Sequence, residues 1–261
     1  MTLTFYKYQG TGNDFVIIDN RDSIISKNNT KLFTRLCDRK FGIGADGLML
    51  LEQPKNQEDD FTMVYFNADG NESSMCGNGG RCLVAFAAFI GIIKDKTTFT
   101  AIDGKHYAEI KDGLVYLQMQ DVSEIEEYDS HLFLDTGSPH HVTMVNGLPE
   151  FDVKNVGREI RNGAPYFEVG SNVNFVEKIN GNSFAVRTYE RGVEDETLSC
   201  GTGVTAVALS MHATQVTNEN QVSVQTPGGE LKVTFSKSAN KYENIFLIGP
   251  AEQVFKGEIE C

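Results

Sequence analysis

Short apolar or alternating runs bounded by Gly, Asn or Asp recur along the chain, and they read as strands. Val16-Ile17-Ile18, Leu48 to Leu51, Met63 to Phe66, Leu114 to Leu117 and Phe184 to Arg187 are of this kind, as are Gln221 to Gln225, Leu231 to Phe235 and Asn244 to Ile248. Helical spacing is rarer. Asn29 to Phe41 places Leu32, Phe33, Leu36 and Cys37 on one face, whereas Cys82 to Ile93 and Val204 to Thr214 are apolar nearly all round. A helix without a polar face belongs in the middle of a core. The pattern predicts a mixed α and β fold in which each sheet wraps one buried helix.

The elements repeat. Met63 to Gly79 can be written above Arg187 to Gly203: in each copy a strand ends near a tyrosine, an acidic loop follows, and Cys-Gly-x-Gly opens an apolar helix. Tyr65 precedes Cys76 by the same interval as Tyr189 precedes Cys200, and Gly10-Thr-Gly-Asn13 lies upstream much as Gly137-Ser-Pro-His140 does. Two matches in one order point to duplication. The boundary is expected near Asp121, with residues 1–121 carrying Cys76 and residues 122–261 carrying Cys200. The final strand is a candidate to pack back on the first half.

Composition narrows the function. The 261 residues carry a formal net charge of −13 with 40% hydrophobic and 23% charged positions, a globular balance too acidic for a duplex nucleic-acid binder or for docking on an anionic membrane. The longest apolar run, Leu83 to Ile93, is short of the roughly 20 residues of a membrane span, and the start has no secretory pattern. The odd set of five cysteines contains no CxxC pair and no zinc-ligand spacing with histidine. Reduced thiols in a cytoplasm are the expectation, with no metal.

Gly42-Ile-Gly-Ala-Asp-Gly47 fits the dinucleotide fingerprint by letter, but that loop needs a strand before and a helix after. Here a helix precedes and a strand follows, so it reads as a glycine-rich turn. The paired Cys-Gly-x-Gly segments are the stronger signal. Each cysteine stands where a loop enters a helix, and the N–H groups and positive dipole end there favour a thiolate. Cys37 and Cys82 fall inside apolar helical patterns and read as core; nothing argues for Cys261.

Two symmetry-related thiols in a shared cleft suit a reaction that is itself nearly symmetric, inversion at an amino acid's α-carbon. One thiolate removes the proton from one face and the opposing thiol supplies another to the other face. Negative charge builds on the substrate carboxylate, and the N–H groups around Gly77, Asn78, Gly201 and Thr202 are placed to hold it. No lysine motif for a pyridoxal Schiff base is present, so no cofactor is expected.

With those residues in view, the chain resembles the diaminopimelate epimerase family. The resemblance runs through Tyr8 to Phe15, Asp38 to Asp46, Phe66 to Gly70, Cys76-Gly-Asn-Gly-Gly-Arg-Cys82, Gly170 to Phe175, Thr188-Tyr-Glu-Arg-Gly192, Cys200-Gly-Thr-Gly and Thr226 to Glu230. It implies an α+β fold of two pseudo-symmetric domains, each a barrel-like, mostly antiparallel sheet around a central helix. It also implies cofactor-independent interconversion of LL- and meso-diaminopimelate, a step of lysine and cell-wall precursor synthesis, by an enzyme usually paired as a homodimer. Residue by residue, it implies Cys76 and Cys200 as the acid/base thiols and Asn13, Asn67, Asn172, Glu190 and Arg191 as substrate contacts. His140 and Glu190 would tune the thiols.

Plainer readings stand beside these. The three asparagines sit in turn-rich contexts where asparagine often serves the backbone. Glu190 and Arg191 read equally as a surface pair, His140 as satisfied structure, and Glu194-Asp-Glu196 as a solvated acidic loop. Ser138 and Gly47 replace residues common in the family, and the Glu190–Cys200 loop is longer than usual. These departures bear on recognition of the distal stereocentre.

Three rival functions remain. A proline-type racemase of the same fold would have no use for Arg191 and the asparagine set. A hydrolase built on Cys200 and His140 leaves Cys76 unexplained. A non-catalytic small-molecule binder has no reason to keep both thiols.

Overall fold

The computed structural model describes residues 1–73, 75–239 and 241–261, and the chain divides into two compact units. The first comprises Met1–Leu117 with Gly249–Cys261, the second Gln118–Ile248.

In the first unit the chain runs β1 (Thr2–Gly10), β2 (Asn13–Asp19), α1 (Thr30–Cys37), β3 (Gly47–Glu52), β4 (Phe61–Asn67), α2 (Gly77–Phe89), β5 (Lys96–Ala101), β6 (Gly104–Lys111) and β7 (Leu114–Gln118). Neighbours in sequence are neighbours in the sheet. The β1–β2, β3–β4, β5–β6 and β6–β7 pairs are antiparallel, while β2–β3 and β4–β5, each separated by a helix, are parallel. A parallel pair needs a crossover, and α1 and α2 supply it.

The second unit continues with β8 (Glu126–Glu127), β9 (Leu132–Asp135), β10 (Pro139–Met144), a 3-10 turn at Leu148–Glu150, α3 (Val153–Asn162), β11 (Asn172–Asn180), β12 (Ser183–Glu190), β13 (Asp195–Thr197), α4 (Gly201–Ala213), β14 (Gln221–Thr226), β15 (Gly229–Ser238) and β16 (Lys241–Gly249). Its order repeats that of the first. The β10–β11 pair is parallel across α3 and β12–β14 is parallel across α4, with antiparallel pairs on either side. The chain then re-enters the first unit as β17 (Glu252–Glu260), antiparallel to β1. The fold is thus the two-domain α+β arrangement with few helices that the sequence pattern implies.

The two apolar helices are the cores. In α2, Gly77 through Val84, Phe86 and Ala87 are buried, and in α4 so are Gly201 and Gly203 through Met211. At about 25 cal/mol per Å² of apolar surface removed from water, such helices form because the sheet encloses them rather than from propensity. α2 stops in a Schellman turn, Ile92 N–H donating to Ala87 C=O and Gly91, at φ +78°, to Ala88 C=O. This ends the helix four residues before Ile93. α1 and α3 cover the opposite sheet faces. Phe33, Leu36 and Cys37 of α1 pack with Leu48, Leu50 and Phe66, and α3 lays Val153 against Phe175 and Tyr189.

α1 is shorter than its spacing predicts. The Asp38 carboxylate accepts the Lys40 and Phe41 N–H groups, and the chain doubles back so that Ile43 and Gly44 donate to Leu36 C=O. A Cβ at Gly42 would stand 1.8 Å from Arg35 C=O, so this turn demands glycine. Phe41, which the helical pattern would bury, is left largely exposed.

Candidate functional site

Each candidate thiol is the N-cap of its unit's central helix. Cys76 has φ −94° and ψ 127°, Cys200 φ −122° and ψ 111°, and neither side chain caps its own helix. An uncapped first turn leaves N–H groups directed at whatever lies beyond it. Cys200 is 9% exposed and Cys76 half-buried. Cys37 and Cys82 are free and buried in the core, as their helical positions imply; burial pushes both thiols up to about 12, too high for acid/base work.

In the first unit the structure brings Asn13 and Asn78 together. Asn78, buried on the first turn of α2, donates its Nδ2 to Asn13 Oδ1 at 2.5 Å. Asn13 in turn donates to Asp46 Oδ2 at 3.1 Å. Arg39 then bridges Asp46 and Asp14, each at 2.7 Å, and Lys7 joins Asp14 at 2.7 Å. Burial raises the Asp14 carboxyl, but Arg39 and Lys7 outweigh it and hold it at about 2. The glycine-rich turn at 42–47 therefore anchors an ion-pair network that fixes Asn13 at the head of α2. Asn67, at the exposed end of β4, shapes the turn after it: its N–H donates to Asn71 C=O and its C=O accepts from Gly70. A Cβ at Gly47 would lie 2.5 Å from the Tyr65 ring, which accounts for the absence of a larger residue there.

The second unit gathers more of the candidates. Cys200 Sγ lies 3.4 Å from Thr202 Oγ1, and Thr202 C=O accepts from Thr136 Oγ1 at 2.9 Å. Asn172, 4% exposed, donates to Ser138 Oγ and Pro139 C=O and accepts from the Arg191 N–H at 2.9 Å. It ties the Ser138-Pro-His140 segment to the Glu190-Arg191 corner, where Ser138 supplies the oxygen that meets its amide. Glu190 accepts from Thr197 Oγ1 at 2.9 Å and Arg191 donates to Val169 C=O at 3.0 Å. The acidic loop is not merely solvated. Glu194 pairs with Arg161, Asp195 with Lys154 and Glu196 with Arg187, so its three carboxylates pin the loop that leads into Cys200.

His140 is fully buried on β10. Burial, with the charge of Arg191 adding to it, drives the imidazole down to about 3, so it is neutral near pH 7. Its tautomer follows from Asn174, a residue outside the candidate set. Asn174 Nδ2 donates to His141 C=O at 3.0 Å while its Oδ1 accepts from Thr188 Oγ1 at 3.0 Å. That fixes the amide, so the 3.1 Å contact to His140 Nδ1 is a donation and the ring proton sits on Nε2. Nε2 has no partner among the described residues. A Cβ at Gly203 would meet Asn174 Oδ1 at 2.5 Å and Cys200 Sγ at 3.4 Å, so the glycine two residues into α4 lets the helix approach Asn174.

Among the described residues no group of three His, Cys, Asp or Glu side chains could hold a metal ion, and no helix is long and apolar enough to cross a membrane.

The family model for diaminopimelate epimerase matches residues 5–123 and 132–254. A diaminopimelate epimerase of Flavobacterium psychrophilum is 57% identical over 258 residues, covering 98% of this chain and all of the relative. One from a Hydrogenobaculum species is 41% identical with 96% of each chain covered. Among solved structures, a Bacillus anthracis phenazine biosynthesis protein of the PhzF family superposes with a TM-score of 0.76 over the full length of both chains at 14% identity. A hydroxyproline epimerase from Agrobacterium vitis gives 0.69 at the same identity, covering 99% of this chain and 92% of that one. At such identity these neighbours speak to fold alone. By sequence over nearly its whole length, the chain belongs to the diaminopimelate epimerase family.

Proposed function

We propose that the protein epimerises LL- and meso-diaminopimelate without a cofactor, using Cys76 and Cys200 as an acid/base pair. The observation that carries this reading is the placement of both thiols as uncapped N-caps of apolar, buried helices in two units of the same topology. The thiolate takes the α-proton, the electron pair passes into the substrate carboxylate as an enediolate, and the thiol gives its proton to the opposite face. N–H groups of Gly77, Asn78, Gly201 and Thr202 stabilise the charge where it develops. Arg191 offers a guanidinium for a distal carboxylate and Glu190 an acceptor for an ammonium group. Asn13 and Asn67 contact substrate from the first unit, and Asn172 does so with the lone pair its three protein hydrogen bonds leave over. His140, a neutral Nε2–H donor on a strand that packs against α4, favours charge on Cys200 when that thiol has given up its proton.

The same reading takes residues 1–121 and 122–261 as the duplicated halves, which the two-unit division and repeated strand order support. The enzyme would act in the cytoplasm as a homodimer, in lysine and peptidoglycan precursor synthesis.

The test is incubation of the purified protein with LL-diaminopimelate in deuterium oxide. Meso product carrying one deuterium, at the inverted α-carbon, is expected. Absence of label from diaminopimelate, with label entering proline instead, would overturn the substrate assignment in favour of a proline-type racemase.

A further inference from the structure

Arg81, on the second turn of α2, is 0% exposed, and no carboxylate among the described residues forms an ion pair with it. Its guanidinium donates to Thr11 Oγ1 at 3.2 Å and, at 3.4 Å, to Gly77 C=O, while its Nε has no partner among the described residues. A buried cation with so few acceptors is costly unless an anion is close by. Carboxylates on the surrounding strands are engaged elsewhere: Asp14 of β2 by Lys7 and Arg39, Glu52 of β3 by Lys27, Glu109 of β6 by Lys111, and Glu252 of β17 by Gln9. Burial drives Arg81 down to about 10, and the groups pulling it back are Cys82 and Cys76. Cys82 is itself pushed up to about 12 by burial and stays a thiol, and its nearness raises Tyr8 of β1. Cys76 is the group left to answer the charge.

The repeat makes the contrast sharp. Arg81 stands five residues after Cys76; five after Cys200 stands Thr205, a buried neutral hydroxyl that donates to Gly201 C=O at 3.0 Å. In the second unit Arg191, which follows Glu190 in sequence, is half-exposed, so water weakens its field. We propose that Arg81 is a positioning residue that makes Cys76 the resting thiolate of the substrate-free enzyme and leaves Cys200 the resting thiol. The duplicated fold thereby breaks its own symmetry with one side chain.

This inference rests on the two-thiol reading, but its test needs no substrate and so can fail separately. Iodoacetamide alkylation of the whole protein is followed from pH 6 to 10, with Cys76 and Cys200 quantified by peptide mass spectrometry. Cys76 is expected to react with the lower inflection. In Arg81→Met that inflection rises by at least one pH unit, slowing Cys76 alkylation at pH 7 about tenfold, with Cys200 unchanged. Arg81→Lys retains the low inflection. A lower inflection at Cys200 in the wild type overturns the proposal. So does a Cys76 profile that Arg81→Met leaves in place while Tm falls, since that is what a purely structural arginine would give. If Arg81→Met does not fold, the wild-type ordering and Arg81→Lys decide.

Discussion

At the residue scale, the buried imidazoles give the protein a pH dependence with a definite sign. His140 is held at about 3 by burial and Arg191, and His141 at about 3 by burial and His131. The unfolded chain takes up those protons near pH 6.5 while the native state refuses them. Stability from these groups is therefore complete above about pH 6.5 and declines as pH falls toward 3. Each contributes a slope of about 1.4 kcal/mol per pH unit at most. His140→Gln is expected to flatten the dependence of urea-unfolding free energy on pH between 6 and 4 by close to one proton. An unchanged slope would mean that His140 protonates without unfolding. Much at this scale was legible beforehand, because a cysteine followed by glycines at a helix entry carries its own chemical argument. What Asn172 does was not: its hydrogen bonds run to Ser138, Pro139 and Arg191, residues far apart in sequence. Asn174, which sets the His140 tautomer, could have been found from its position on the same face of β11 as Asn172, two residues away.

Among the elements, the central strands and the two apolar helices were visible because their periodicity is undiluted. Elements without a clear period share a mixed surface. β17 alternates weakly and is exposed along most of its length, and β1 interleaves polar residues with Leu3 and Phe5. α3 has only Val153, Val156 and Ile160 among polar residues, yet it forms because Asp152 caps it and because Gly157 lets it sit on Tyr189. A Cβ at Gly157 would stand 2.4 Å from Tyr189 Cβ, where no flexible side-chain end can give way. Gly157→Ala, although it raises helix propensity, is expected to destabilise the second unit by about 1–3 kcal/mol through overpacking. Urea unfolding checks this; an unchanged or higher midpoint would mean that α3 is not held at that distance. The truncation of α1 at Cys37 belongs to the same scale: spacing alone extends the helix, and the Asp38 carboxylate together with the Gly42 contact ends it.

For the whole molecule, duplication is the organising fact. Both units use the order antiparallel pair, covering helix, antiparallel pair, buried helix, antiparallel strands, and each buried helix begins at a cysteine. That repeat was readable from two motif pairs spaced alike. The final strand, a candidate from sequence to pack back on the first half, does so as β17 against β1, although pairing between chain ends leaves no local trace of its register. The covering helices follow the same logic of unequal copies, α1 closing with glycines and α3 requiring one in its middle. If the two copies serve one inversion, neither thiol can substitute for the other, because each reaches a different face of the α-carbon. The most direct measurement is epimerisation of LL-diaminopimelate by Cys76→Ala and Cys200→Ala beside the wild type, with folding of both variants verified by circular dichroism. Turnover is expected to fall at least about a thousandfold in each, on the scale of removing one member of a group that acts as a unit. Substantial epimerisation by either single-thiol protein would contradict the two-base account.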